Sequence, residues 1–291
     1  PVWADMLGDA ELDLSAFAAN AALGDVTFED PSIRLIADAR GMTLTLERTE
    51  VAEGHVQGIL TVEQEGQDAR VHLSGSLGDI SLAEIGEAIR DGTAGIPVGQ
   101  DRPPEGYVTA SVDLSGRGST FGGVVGSLRG WGASVVRDGS LAGADIVATL
   151  ERVADNSTLV DEGKPLIPVA GRTYFSVLVA SVAVKEGKVR APHIHFRGEN
   201  FEIDFSGGID LAEGEIEAEG TAALFADRSG GSWQPLIALP FGIGGTVREP
   251  MFAPGIPGIG GSTMPPSPAT HPDAGGTGPA SDRNAALYDN Q

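Results

Sequence analysis

The sequence predicts a mainly β protein: an elongated, curved antiparallel β-sheet, a groove or half-barrel of β-meander repeats, with two or three short capping helices and a disordered C-terminal tail. Three observations carry this reading. Apolar and polar residues alternate with period two through most of the chain, which gives each strand one wet and one dry face. Tight-turn sequences recur between the alternating runs. Glycine is used 42 times, which favours turns and bulges over long helices.

The alternation is clearest near the C-terminal end. Phe201, Ile203, Phe205, Ile209 and Leu211 share one parity, with Glu202, Asp204, Ser206 and Asp210 on the other. In the next run Ile216, Ala218, Ala222 and Leu224 oppose Glu215, Glu217, Glu219 and Thr221. The same pattern sets Ile33, Leu35 and Ala37 on a dry side, then Leu44 and Leu46, then Val56, Leu60 and Val62. It continues with Val71 and Leu73, and with Val108, Ala110, Val112 and Leu114. Turns at 39–41, 52–54, 64–66, 185–187, 198–200 and 212–214 place Gly or Asn where a positive φ costs little.

Two helices follow from caps and stripes. At 81–90, Ser81 and Glu84 form a capping box and Leu82, Ile85 and Ile89 an apolar stripe. At 119–128, Ser119 or Thr120 caps a stripe of Phe121, Val124, Val125 and Leu128. A third, weaker helix falls around 143–153. Residues 154–171 read as an ordered loop or insertion. From about Pro254 the chain is Gly, Pro, Ser, Thr and Ala, too polar to offset its ordering entropy. The segment LSGSLGDISLAEIGEAI at Leu73 echoes LSGRGSTFGGVVGSLRG at Leu114, both reading as strand, Ser-Gly, loop, cap and helix. The organisation is a β-repeat region over 1–105, a second module over 106–253 and the tail over 254–291.

Charge and composition exclude several functions. The chain carries 19 basic and 41 acidic residues, a net charge of −22. A phosphate backbone needs a basic stripe, so nucleic acid is not a partner, and an anionic membrane surface finds no polybasic patch. With no cysteine, thiol catalysis, disulfides and Cys-based metal sites are absent. No run of about 18 apolar residues spans a bilayer. The chain opens at Pro1 with no initiator Met and no signal peptide and reads as a fragment or processed piece of a longer protein, with any targeting or anchoring segment expected upstream.

The motifs that suggest chemistry each meet a plainer explanation. The glycine loop at 114–130 lacks the Lys-Ser/Thr of a phosphate loop, since Val124-Val125 follows Gly122-Gly123. A strand-to-helix joint accounts for it. His193 and His195, at i and i+2, share one strand side and paired imidazoles bind metals. No third ligand stands close in sequence, so they read as polar-face residues, as do His55 and His72. Glu215, Glu217 and Glu219 form a regular solvated stripe without the unequal environments that catalytic carboxylates need. No G-x-S-x-G elbow is present. The reading is non-enzymatic, with no cofactor and no metal.

In motif order the region from Gly106 to Pro254 resembles the C-terminal module of the AsmA family of Gram-negative envelope proteins. GYVTASVDLSGRGSTFGGVVGSLRG is similar to that family's strand, Gly-x-Gly loop and short helix. GASVVRDGSLAGADIVATLERV, the segment from Thr173 to Leu224 and the closing PFGIGGTVREPMFAP follow in the same order. The first hundred residues resemble the β-repeats that precede the module. The resemblance implies a periplasmic protein tethered to the inner membrane by an N-terminal helix. It implies a role in outer-membrane biogenesis, through phospholipid trafficking along an apolar groove or through regulation of outer-membrane protein assembly.

On that implication the partners are phospholipid acyl chains and unspecified envelope assembly proteins. Val112, Leu114, Val177, Val179, Ile194 and Phe196 would line the groove, together with Phe201, Ile203, Phe205, Ile209, Ile216 and Leu224. Each CH₂ buried there contributes roughly 0.8 kcal/mol. The alternative is a structural or adhesive β-repeat protein in which the same dry face is a closed core.

Overall fold

A computed structural model describes residues 10–23, 26–84, 104–155, 167–211, 213–225, 235–246 and 250–254. Among these residues fifteen strands form one sheet. The first seven are β1 (Leu12–Phe17), β2 (Asn20–Leu23), β3 (Val26–Glu29), β4 (Ser32–Asp38), β5 (Gly41–Val51), β6 (Gly54–Glu65) and β7 (Asp68–Ser81). The next four are β8 (Glu105–Gly118), β9 (Arg129–Ala142), β10 (Arg172–Lys185) and β11 (Lys188–Arg197). The last are β12 (Phe201–Asp210), β13 (Ile216–Phe225), β14 (Pro235–Gly245) and β15 (Pro250–Pro254). Two helices lie among the described residues, α1 (Phe121–Gly126) and α2 (Ile146–Asp155).

From β4 to β15 each strand pairs antiparallel with the next in the chain, and β1 adds to the free side of β4. The β2–β3 hairpin joins through β3 to the end of β5. This is the open antiparallel meander that the alternation predicts. It is also a low-cost topology, because most pairings join strands that follow one another in the chain.

The turns use their residues in two different ways. Gly66, Gly187 and Gly214 adopt positive φ as expected. At 52–54 the positive φ values fall instead on Ala52 and Glu53. Gly54 is needed there for space, since a Cβ would lie 2.2 Å from the Gly78 carbonyl oxygen.

Among several β-bulges that shift the phase of the alternation, three bear on the two faces. One lies between Leu77 and Ile80, with Asp79 at φ 53°. A second faces Glu105–Tyr107, with Asp138 on β9 at φ 50°. The third lies in β11 between Ala191 and Ile194, around Pro192, which cannot donate to the ladder.

The helix expectations are met in part. Thr120 caps α1, its Oγ1 accepting from the Gly123 amide at 3.1 Å. The C-terminal end is tied to β8 by Ser127, whose Oγ accepts from the Arg117 amide and donates to the Arg117 carbonyl. Phe121 does not join the stripe and is 85% exposed. Helix α2 begins three residues later than expected and includes Ala154 and Asp155, read from sequence as loop. In the helix expected at 81–90, Ser81 ends β7, 82–84 form a turn and 85–90 lie outside the described residues. The echo of Leu114 at Leu73 therefore fails structurally: after its Ser-Gly, β7 runs on as strand to Ser81. Most of the loop at 154–171 and the tail from 255 lie outside the described residues.

Helix α1 rests on glycine. A Cβ on Gly118 would stand 2.6 Å from the Gly123 backbone, and one on Gly116 would stand 2.8 Å from the Val124 carbonyl oxygen. Gly122, by contrast, has nothing within 4 Å of an added Cβ. Gly118→Ala should therefore destabilise the protein by about 1–3 kcal/mol, while Gly122→Ala is neutral or stabilising by up to about 1 kcal/mol. Urea unfolding of the two variants checks the contrast.

Candidate functional site

The ladder registers assign every paired side chain to one of two sheet faces. Starting at one edge, Leu14 pairs with Leu35, Leu35 with Leu44, Leu44 with Leu60, Leu60 with Leu73 and Leu73 with Leu114. The same row continues through Gly130, Val184, Val189, Ile209 and Ile216. One row of aliphatic side chains, interrupted only by Gly130, thus crosses eleven strands. At about 4.8 Å per strand spacing it extends for roughly 50 Å measured along the sheet.

Beside it runs a second row of Ile33, Leu46, Gly58, Gly75, Val112, Gly132 and Val182. Its three glycines lower the floor next to the leucines and leave a furrow.

The opposite face is charged. Arg34 forms a two-bond ion pair with Asp13 across β1 and β4, at 3.0 and 2.6 Å, and this holds the Asp13 carboxyl below its ordinary range. Arg117 pairs with Asp68, Arg137 with Asp79, Arg197 with Glu202 and His72 with Asp113. Glu215, Glu217 and Glu219 lie on this side and are exposed. Such surface pairs contribute little stability each, but they fix which face is wet.

The aliphatic face is covered unequally. Helix α2 lies over the end of the face formed by β10–β14. Its Leu150 and Val153 join Phe175, Phe196, Phe201, Ile203, Ala222, Leu224 and Leu239 in one buried cluster. The rings of Phe175, Phe196 and Phe201 meet edge to face at 4.9 and 5.3 Å. Asp145 anchors this lid, its Oδ1 accepting from the Ala148 amide, and buried Thr149 accepts from the Val169 amide. No such lid lies over β1–β7 among the described residues. Leu35, Leu44 and Leu60 are partly exposed there, and Leu14 and Leu73 are exposed at 52% and 39%.

The residues expected to line a groove fall into three groups. Val112, Leu114, Ile194, Phe205, Ile209 and Ile216 lie on the aliphatic face and are partly exposed. Phe196, Phe201, Ile203 and Leu224 lie on the same face but are buried under α2, Phe201 to 1% and Ile203 to 8%. Val177 and Val179 lie on the charged face, where Val177 pairs with Arg197 and Arg137 and Val179 with His195. Counting from Thr173 and Phe175 puts odd positions on the dry side. The phase changes between Phe175 and Leu178, next to the Asp138 bulge, and from Leu178 the even positions are dry.

The sequence candidates omitted the leucines of β1–β7, which form the more exposed half of the row. Their parity was legible, but the absence of a covering helix was not.

Sequence reasoning also left His193 and His195 without a third partner. The β11–β12 hairpin closes at Arg197 and Glu202, which places Asp204 directly opposite His195. Nδ1 of His195 lies 2.8 Å from Oδ1 of Asp204, and Nε2 of His193 lies 3.5 Å from the same oxygen. Counting outward from the turn at 198–200 would have found this residue.

Compared with protein-family models, with curated proteins and with solved structures, the chain matches none. No helix among the described residues is long and apolar enough to cross a membrane.

The unequal cover has a measurable consequence. Ile203→Asp places a charge in the cluster under α2 and should cost more than about 3 kcal/mol. Leu73→Asp, on the same face but exposed, should cost about 1 kcal/mol or less. Guanidinium unfolding followed by tryptophan fluorescence and circular dichroism measures both.

Proposed function

We propose that the protein is a non-enzymatic β module that holds the acyl chains of phospholipids along its aliphatic face. Its setting would be the periplasmic side of a Gram-negative inner membrane, in outer-membrane biogenesis, as the resemblance to the AsmA family implies. The observation that carries the acyl-chain reading is the row from Leu14 to Leu114. Six leucines from six strands stand side by side, and none of them is buried. Exposed aliphatic surface of this continuity marks an interaction site.

Three further features support the same reading. The furrow along Gly58, Gly75 and Gly132 suits a flexible hydrocarbon chain better than a side-chain anchor from a folded partner. The opposite face, dense in ion pairs, keeps the sheet from stacking on itself through that side. The net charge of −22 repels anionic headgroups from the wet face and leaves the aliphatic face as the favourable place for lipid. Each methylene transferred from water contributes roughly 0.8 kcal/mol, so affinity rises steeply with chain length. Regulation of envelope protein assembly would be a consequence of this binding.

Mass spectrometry of organic extracts from the purified protein should detect co-purifying phospholipid. A fluorescent fatty acid should bind and be displaced more effectively by longer chains. Leu73→Asp and Leu44→Asp should each weaken that binding by about tenfold or more, the loss of one buried leucine contact, with the fold retained. A protein that carries no lipid and binds no probe would instead favour a structural β-repeat whose face is closed by another protein.

A further inference from the structure

We propose that His193, His195 and Asp204 form a binding site for a divalent transition-metal ion of the zinc type, on the charged face of the sheet. This inference stands apart from the acyl-chain reading and uses the other side of the molecule.

The site arises from local chain geometry. His193 and His195 alternate with Ile194, which points to the aliphatic face and pairs with Ala180 and Phe205. The bulge between Ala191 and Ile194 adds one residue to β11 relative to both neighbouring strands. Pro192 lacks the amide that a regular ladder would need there. Bulges re-aim side chains, and this one leaves the His193 and His195 rings nearly parallel, 12° apart with centroids at 6.3 Å. Asp204 enters from β12 as the register partner of His195.

One ligand atom from each of the three residues lies within 4.8 Å of the other two. A tetrahedral zinc ion with bonds of roughly 2.0–2.1 Å sets its ligand atoms about 3.3 Å apart. The two contacts to Asp204 Oδ1, at 2.8 and 3.5 Å, bracket that separation.

The donor set selects the metal. Two imidazoles and one carboxylate suit zinc and its neighbours, whereas calcium and magnesium take oxygen ligands. The His193 side chain is 68% exposed, so the fourth coordination position faces solvent or an external ligand. The ion would tie β11 to β12 beside the bulge, where the ladder is interrupted.

Isothermal titration of the full chain with zinc chloride, after chelator treatment, tests the proposal. One zinc should bind per chain, and calcium should not displace it. His193→Ala and Asp204→Asn should each weaken this binding by about tenfold or more, the scale on which even indirect partners of a metal site act. Both residues are exposed, and circular dichroism should show the sheet unchanged. His72→Ala removes a comparable His–Asp pair on the same face, 3.3 Å from Asp113, and should leave zinc binding unaltered. Cobalt should give the intense visible absorption of a tetrahedral site in the parent chain and lose it in Asp204→Asn. The proposal is overturned if the parent chain binds no zinc. It is equally overturned if affinity is the same in all three variants, or if His72→Ala weakens binding as much as the others.

Discussion

Register is the constraint on which the rest of this structure depends. Side chains alternate with period two, so a one-residue slip in any ladder would carry a whole strand's aliphatic set to the charged side. The slip would also set arginines and carboxylates against leucines. From Leu14 on β1 to Ile216 on β13 the row stays on one face across ten successive pairings. No single contact in the row is strong. Its continuity holds because each ladder keeps the register set by the one before it. The ion pairs of the opposite face act as a second, independent check. Arg34 with Asp13 and Arg197 with Glu202 form only when the same registers are kept.

A sheet with one apolar face must cover that face or use it. This chain covers one part of it and leaves another part exposed. Over β10–β14 it places α2, and the phenylalanines of β10, β11 and β12 form a packed core beneath it. At the far end of the middle strands it places α1, seated closely on Gly116 and Gly118. Over the leucines of β1–β7 no element among the described residues serves that purpose. The division follows residue size. The covered part is rich in Phe, which needs burial and a partner ring, while the uncovered part is leucine and glycine. The bulges at Asp79, Asp138 and Pro192 let the two parts share one sheet, each absorbing a phase change without inverting the faces.

Much of this was legible in the sequence because period-two alternation is a local signal. The strands from Ile33 to Leu224, the antiparallel meander and the capped helix at Thr120 all follow from neighbouring residues. What escaped has a common physical cause. Val177 and Val179 were placed on the dry side because a bulge is set by the partner strand and leaves little trace in its own sequence. Ile203 was read as groove, although α2, far away in the chain, buries it. Asp204 was missed as a partner of His195 because the two meet across a hairpin and not along a strand. The echo between Leu73 and Leu114 misled for a related reason. Similar words were followed by different neighbours, a helix seated on glycine in one case and a continuing ladder in the other.

The central claim is that one face is closed under α2 and open over β1–β7. The absence of cysteine makes a direct measurement possible, since a single introduced thiol reports on its own surroundings. Leu73→Cys and Ile203→Cys should differ sharply in their rates of reaction with a maleimide under native conditions. The account predicts that the thiol at 73 reacts nearly as fast as in the unfolded chain, and that the thiol at 203 is protected until unfolding. Equal protection at both positions would contradict it and would mean that the leucine face is a closed core.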